Sequence, residues 1–126
     1  MPPRIRVLIA DDHRLFAEAL DAILATEPQI EVVGRAYDGE DAIAQGLSLE
    51  PDVILMDIAM PVVDGVEATK RIRKERSDAC VVILTGSNSR ADVARSREAG
   101  AAAYVTKDRI ASHLLSTILE LVPPAN

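Results

Sequence analysis

Apolar, largely β-branched runs punctuate this chain at Ile5 to Ala10, Asp52 to Met56, Cys80 to Leu84 and Ala101 to Thr106. Each run predicts a strand, and each ends at a polar group: Asp11-Asp12, Asp57, Thr85 and Lys107 respectively. A shorter run, Ile30-Glu31-Val32-Val33, is bracketed by Thr26-Glu27-Pro28 and Gly34; its brevity and its charge predict an edge strand. Between the runs the spacing turns helical. Leu15, Phe16, Ala19, Leu20, Ile23 and Leu24 form one stripe, and Ile110, Leu114, Leu115, Ile118 and Leu119 form another that Pro123-Pro124 stops. Pro61 to Gly65 reads as a turn, after which Asp64 with Glu67 resembles a capping box with Asp in the Ser/Thr place; Ser89 with Asp92 opens the next helix more weakly.

Strict alternation of strand and helix predicts a parallel sheet with helices on both faces and right-handed crossovers. For five strands the common doubly wound order is 2-1-3-4-5, which sets the ends of the first and third strands side by side at the switch point. Those ends carry Asp11, Asp12 and Asp57. All the strand-end polar groups would then share one edge of the sheet.

Length and composition narrow the picture further. With 126 residues and 48% apolar content the chain is sized for one domain, expected over residues 4–121 with 122–126 as a tail or linker. A formal net charge of −6 argues against nucleic-acid contact by this domain, which would need clustered Lys and Arg. Cys80, the single cysteine, lies in an apolar run and reads as a small buried thiol. Met1-Pro2-Pro3-Arg4 lacks a signal-peptide core, and no apolar stretch approaches the roughly 20 residues that span a bilayer; a cytoplasmic protein without membrane contact is expected.

Three carboxylates crowded together raise at least one pKa unless a cation neutralises them. Mg²⁺ suits this donor set, with Asp12 and Asp57 as ligands, Asp11 acting through water and a phosphoryl oxygen completing the shell. Lys107 supplies a point charge and Thr85 a hydroxyl for such an oxygen, and Gly86 lets a backbone N–H approach closely. Taken alone, Asp-Asp after a strand reads equally well as a helix cap, and a lone Lys at a strand end as a solvated side chain. Asp57, ending the run Pro51 to Met56, has no such capping duty, so the conjunction carries the weight.

Asp11-Asp12, the run Asp52 to Pro61 with Asp64-Gly65, Leu84-Thr85-Gly86, Ala99-Gly100-Ala101 and Tyr104-Val105-Thr106-Lys107 resemble the response-regulator receiver family over about residues 4–121. The resemblance implies a flavodoxin-like (βα)5 fold and a phosphoacceptor, Asp57, charged by a sensor histidine kinase or a phosphotransfer protein. It further implies Mg²⁺ held by Asp12, Asp57 and the Ala59 carbonyl with help from Asp11. Phosphoryl oxygens would be held by Lys107, Thr85 and the backbone N–H groups of Ala59 and Gly86. Thr85 and Tyr104 would form the switch, the hydroxyl moving toward the phosphoryl group and the ring turning inward, so that the face of the fourth helix, fifth strand and fifth helix changes its partners. On physical grounds alone Tyr104 also reads as an amphipathic residue of an edge strand.

Two features set the chain apart from much of that family. Many receivers follow the lysine with proline in a cis bond, whereas Lys107-Asp108 lacks the proline and a cis bond there would be costly. Lys-Asp here is similar to the branch linked to helix-turn-helix DNA-binding domains, and residues 121–126 would then begin a linker; a stand-alone receiver is equally compatible. The small residues Ala59 and Ser87 leave water a path, predicting no unusually long-lived phosphoryl state. His13 and His113 read as surface or ordinary helix residues, and Lys70 to Arg76 as a solvated face. A phosphatase of the haloacid-dehalogenase type would need an acid where Ala59 stands, and a nucleotide or flavin site would need a Gly- or Ser/Thr-rich loop where Asp11-Asp12-His13-Arg14 stands. A phosphorylation-independent scaffold is opposed by the presence of Asp11, Asp12, Asp57, Thr85 and Lys107 together. Turnover of an external substrate is not expected. A downstream effector or linked DNA-binding domain, and a phosphorylation-dependent homodimer, complete the expected partners.

Overall fold

The computed structural model describes residues 4–86 and 89–122. Five strands, β1 (Ile5–Ala10), β2 (Ile30–Ala36), β3 (Val53–Asp57), β4 (Val81–Thr85) and β5 (Ala103–Thr106), pair in parallel in the order β2-β1-β3-β4-β5. Between and after them run α1 (Arg14–Leu24), α2 (Gly39–Ser48), α3 (Gly65–Glu75), α4 (Arg90–Glu98) and α5 (Leu115–Leu121). The predicted doubly wound sheet and its strand order are observed. Strands buried on both faces explain the continuous apolar runs, since successive side chains enter opposite halves of the core. Val7, Ile9, Leu55 and Leu84 meet Leu20, Leu24, Leu114 and Ile118 on one face. Leu8, Ile54, Met56 and Ile83 meet Ala42, Ala68 and Ile72 on the other.

Several boundaries differ from the sequence reading. β2 does not stop before Gly34 but continues to Ala36 as the longest strand of the sheet, with a register break where Val7 faces Val32 and Leu8 faces Gly34. The glycine is a slip in the ladder rather than its end. β2 does lie at the edge of the sheet, as expected. β3 and β4 begin one residue later than their apolar runs and take in Asp57 and Thr85, so both polar groups are the last residues of their strands. β5 starts at Ala103, because the Ala101 N–H is engaged by Ser96 O at 3.0 Å and the Ala102 N–H by Val81 O at 2.8 Å.

On α1 the buried side chains are Ala17, Leu20 and Leu24; Leu15 is 72% exposed and Ala19 is exposed, so the core-facing stripe is rotated from the one predicted. The last helical segment does not begin as an α-helix. It passes through a 3₁₀ turn at Lys107–Arg109 and a π turn at Ile110–Leu114 before α5. Ile110, Leu114 and Ile118 are buried there, while Pro123-Pro124 lies outside the described residues. Asp64 caps α3 by accepting the Glu67 N–H at 2.8 Å, but the reciprocal half of a capping box is replaced by a Glu67–Arg71 pair at 3.4 Å. Ser89 caps α4 through the Asp92 N–H at 3.3 Å. The peptide bonds of the described residues, Lys107-Asp108 included, are trans.

Candidate functional site

Asp57 ends β3 in the centre of the sheet, with β1 on one side and β4 on the other. The loop that follows is drawn tightly under it. The Ile58 N–H donates to Leu84 O at 3.0 Å, and the Gly65 N–H returns to Ile58 O at 2.9 Å. A Cβ on Gly65 would collide with the Asp57 carbonyl oxygen, which is why glycine follows the Asp64 cap. Between them, the Val63 N–H donates to Pro61 O at 2.8 Å with Val62 at φ 72°, a three-residue turn of the rarer positive-φ kind. A β-branched residue in that conformation is strained, and Val62 is also 75% exposed.

From β1, Asp11 and Asp12 complete the acidic pocket. Oxygens of Asp11, Asp12 and Asp57 lie within 4.8 Å of one another; Asp11 and Asp57 are buried and Asp12 is exposed. The helix-cap reading of Asp11-Asp12 fails here. His13 occupies the N-cap position of α1 and makes no side-chain cap bond, and Asp11 Oδ1 accepts the N–H of His13 itself, at 2.8 Å, rather than one inside the helix. His13 is exposed, as expected.

Lys107 reaches this cluster from beyond β5. Its Nζ stands 3.0 Å from Asp11 Oδ2 and 3.5 Å from Asp57 Oδ1. Among the described residues the Lys107 ammonium thus stands against two of the three carboxylates, and the balance shows at Asp57. Burial, then the charge of Asp11, pushes its pKa from 3.8 up to about 6; Asp12 adds to the rise and Lys107 only partly offsets it. A set of hard oxygen donors with an uncompensated negative charge fits a small divalent cation such as Mg²⁺.

Thr85 is buried at the end of β4, beside Thr106 in the register of β4 with β5. Tyr104, on β5, is half-buried and packs against the second core cluster. Ala59 and Gly86 are exposed at the loops after β3 and β4. A Cβ on Gly86 would meet nothing within 4 Å, so crowding by the protein itself does not demand glycine there. Ser87 lies outside the described residues. The predicted site residues other than Tyr104, which lies within β5 opposite Ile83, are therefore on the C-terminal edge of the sheet, and Asp11, Asp12, Asp57 and Lys107 are in direct proximity.

Sequence reading missed two contacts. The Lys107 ammonium lies 4.2 Å from the centroid of the Phe16 ring, and the Arg14 guanidinium 3.9 Å from that of Tyr37. Helical periodicity placed Phe16 in the core stripe; the available signal was its position one turn beyond Asp12 in a chain with only 2% aromatic residues.

A doubly wound sheet whose switch point holds three aspartates, with a lysine and a threonine on neighbouring strand ends, defines the receivers of two-component signalling. The chain belongs to the response regulator receiver domain family, which it matches over residues 7–119. Among curated relatives, the transcriptional regulatory protein LiaR of Bacillus subtilis (strain 168) is 42% identical over 114 residues, which are 90% of this chain and 54% of LiaR. The transcriptional regulatory protein DegU of Brevibacillus brevis is 40% identical over 115 residues, 91% of this chain and 49% of DegU. The chain thus spans about half the length of these relatives. Among solved structures, the signal receiver domain of NarL from Mycobacterium tuberculosis superposes with a TM-score of 0.90 at 30% identity, covering 94% of this chain and 96% of that one. A LuxR-family two-component response regulator from Aurantimonas sp. SI85-9A1 gives a TM-score of 0.90 at 30% identity, covering 94% of this chain and 84% of that one.

Proposed function

We propose that Asp57 is the phosphoacceptor of this receiver. A carboxylate oxygen of Asp57 attacks the phosphorus of a phosphohistidine on a sensor histidine kinase or phosphotransfer protein; the new O–P bond forms as the P–N bond breaks, and the electron pair leaves with the imidazole. The observation that carries this reading is the meeting of three carboxylates within 4.8 Å, with Lys107 3.5 Å from Asp57.

Asp12, Asp57 and the Ala59 carbonyl would hold Mg²⁺, with Asp11 assisting through water; the bound ion supplies charge neutralisation and a coordination site for a phosphoryl oxygen. Lys107 keeps its charge at the pocket and pairs with another phosphoryl oxygen. The Thr85 hydroxyl and the backbone N–H groups of Ala59 and Gly86 donate to those that remain. Thr85 and Tyr104 transmit the change to the α4–β5–α5 face. In this reading the chain assists its own phosphorylation and dephosphorylation and turns over no external substrate.

No helix among the described residues is long and apolar enough to cross a membrane, which is compatible with cytoplasmic work. The transcriptional names of LiaR and DegU, and the half-length match to each, support an output through a linked DNA-binding domain. In this arrangement residues 4–121 form the receiver, which itself does not touch nucleic acid.

Intact-mass spectrometry after incubation with acetyl phosphate and Mg²⁺ tests the assignment. One base-labile phosphoryl group is expected, absent from Asp57→Ala and from a chelated control. Unchanged mass in every arm would refute it and favour a binding scaffold.

A further inference from the structure

The chain contains one Phe, two Tyr and no Trp. Two of these three rings sit beneath cations near the acidic edge, and one of those cations is Lys107. A lysine is a flexible four-carbon stem carrying a point charge, and nothing in the stem itself fixes where that charge rests. Among the described residues the ammonium lies against three groups: Asp11 Oδ2 at 3.0 Å, Asp57 Oδ1 at 3.5 Å and the Phe16 ring centroid at 4.2 Å. The two carboxylates are ones that, in the reading above, a divalent ion engages. The ring alone among the three is no candidate metal donor, so its attraction for the ammonium persists when the carboxylates are occupied. Phe16 is half-buried against the first core cluster, which holds the ring in place, and it lies on α1 while Lys107 follows β5.

We infer that Phe16 is a positioning residue for Lys107, its ring face keeping the ammonium at the pocket, turned toward Asp57, before and during phosphoryl transfer. The inference rests on the assignment of Asp57 as acceptor for its second half only. The placement of Lys107 is a property of the resting protein.

Two measurements test these halves separately. In the metal-free protein with ¹³C-labelled lysine, the Lys107 ε-methylene is expected upfield of the other lysine signals through the ring current, with restricted motion. Phe16→Leu, which keeps apolar bulk, should return it to the common position, and Phe16→Tyr should retain the shift. With acetyl phosphate and Mg²⁺, Phe16→Leu should slow phosphorylation of Asp57 about threefold, the scale of one cation–π contact. Phe16→Tyr should stay near the native rate, and Phe16→Leu should add no further loss in a Lys107→Ala background. An unshifted Lys107 methylene in the native chain overturns the inference, as does a Phe16→Leu rate loss that persists without Lys107. Failure of Asp57 to take phosphate would instead overturn the acceptor assignment and leave the resting measurement standing.

Discussion

The floor of the site and the α4 flank are built to different standards. Every residue of β3, Asp57 included, is buried, β1 has only Arg6 partly exposed, and α3, which begins after the loop that follows Asp57, buries Gly65, Val66, Ala68, Thr69 and Ile72. Helix α4 buries one side chain, Ser96, and that hydroxyl finds no hydrogen-bond partner among the described residues. A polar surface contact, Arg95 with Asp64 at 3.2 Å, ties α4 to the start of α3, while the Arg95–Asp92 pair at 3.5 Å lies within the helix itself. Chemistry at a crowded acidic pocket needs fixed geometry, whereas a helix that must change its contacts is better held weakly. The packing assigns these two duties to different parts of one small sheet.

The largest test of that contrast is truncation on each side. Leu55→Ala, in the centre of β3, should cost about 3 kcal/mol in urea unfolding, while Val93→Ala on α4 should cost under about 1 kcal/mol. Equal losses would erase the distinction. Amide hydrogen exchange should agree, with α4 opening well before β3.

Electrostatic stress should likewise belong to the floor. Asp57 holds its proton more tightly folded, at about 6, than its ordinary value of 3.8, so its ionisation disfavours the native state. The protonated form therefore contributes stability below pH 4 that is lost as pH rises through 6. In metal-free buffer Asp57→Asn should stabilise the protein by about 2 kcal/mol at pH 8, and this gain should fade on acidification toward pH 4. A pH-independent effect would place the stress elsewhere.

Ser96→Ala removes a buried hydroxyl without creating a cavity larger than one atom, and should add about 1 kcal/mol while slowing exchange in α4 selectively. Uniform slowing across the sheet would show that α4 is not a separate unit. The smallest effect is expected at the strained turn of the floor. Val62→Gly relieves the positive φ but frees the unfolded chain, a net gain of about 0.5 kcal/mol by thermal unfolding.

Much of this organisation can be read from the chain before any fold is known. The strand-end aspartates, Thr85 and Lys107 are legible because parallel strands buried on both faces leave continuous apolar runs, in which an interrupting polar group stands out. Asp64 is legible as a cap because an N-cap bond spans only three residues. Local rules of this kind determine the alternation of strand and helix, and with it the class of fold.

Other features depend on which distant segments meet. The passage of β2 through Gly34 follows from its pairing with β1, where a register break absorbs the extra residue. The burial of Ala17 in place of Leu15 and Ala19 follows from the angle at which α1 docks, since periodicity defines a stripe but not its exact facing. The raised pKa of Asp57, and the seat of Lys107 on Phe16 across most of the chain length, exist only after the strand ends converge. Sequence determines a pattern that local sterics and burial can interpret; tertiary structure decides which charges and rings come within a few ångströms, because Coulombic and π interactions depend on separation in space and not along the chain.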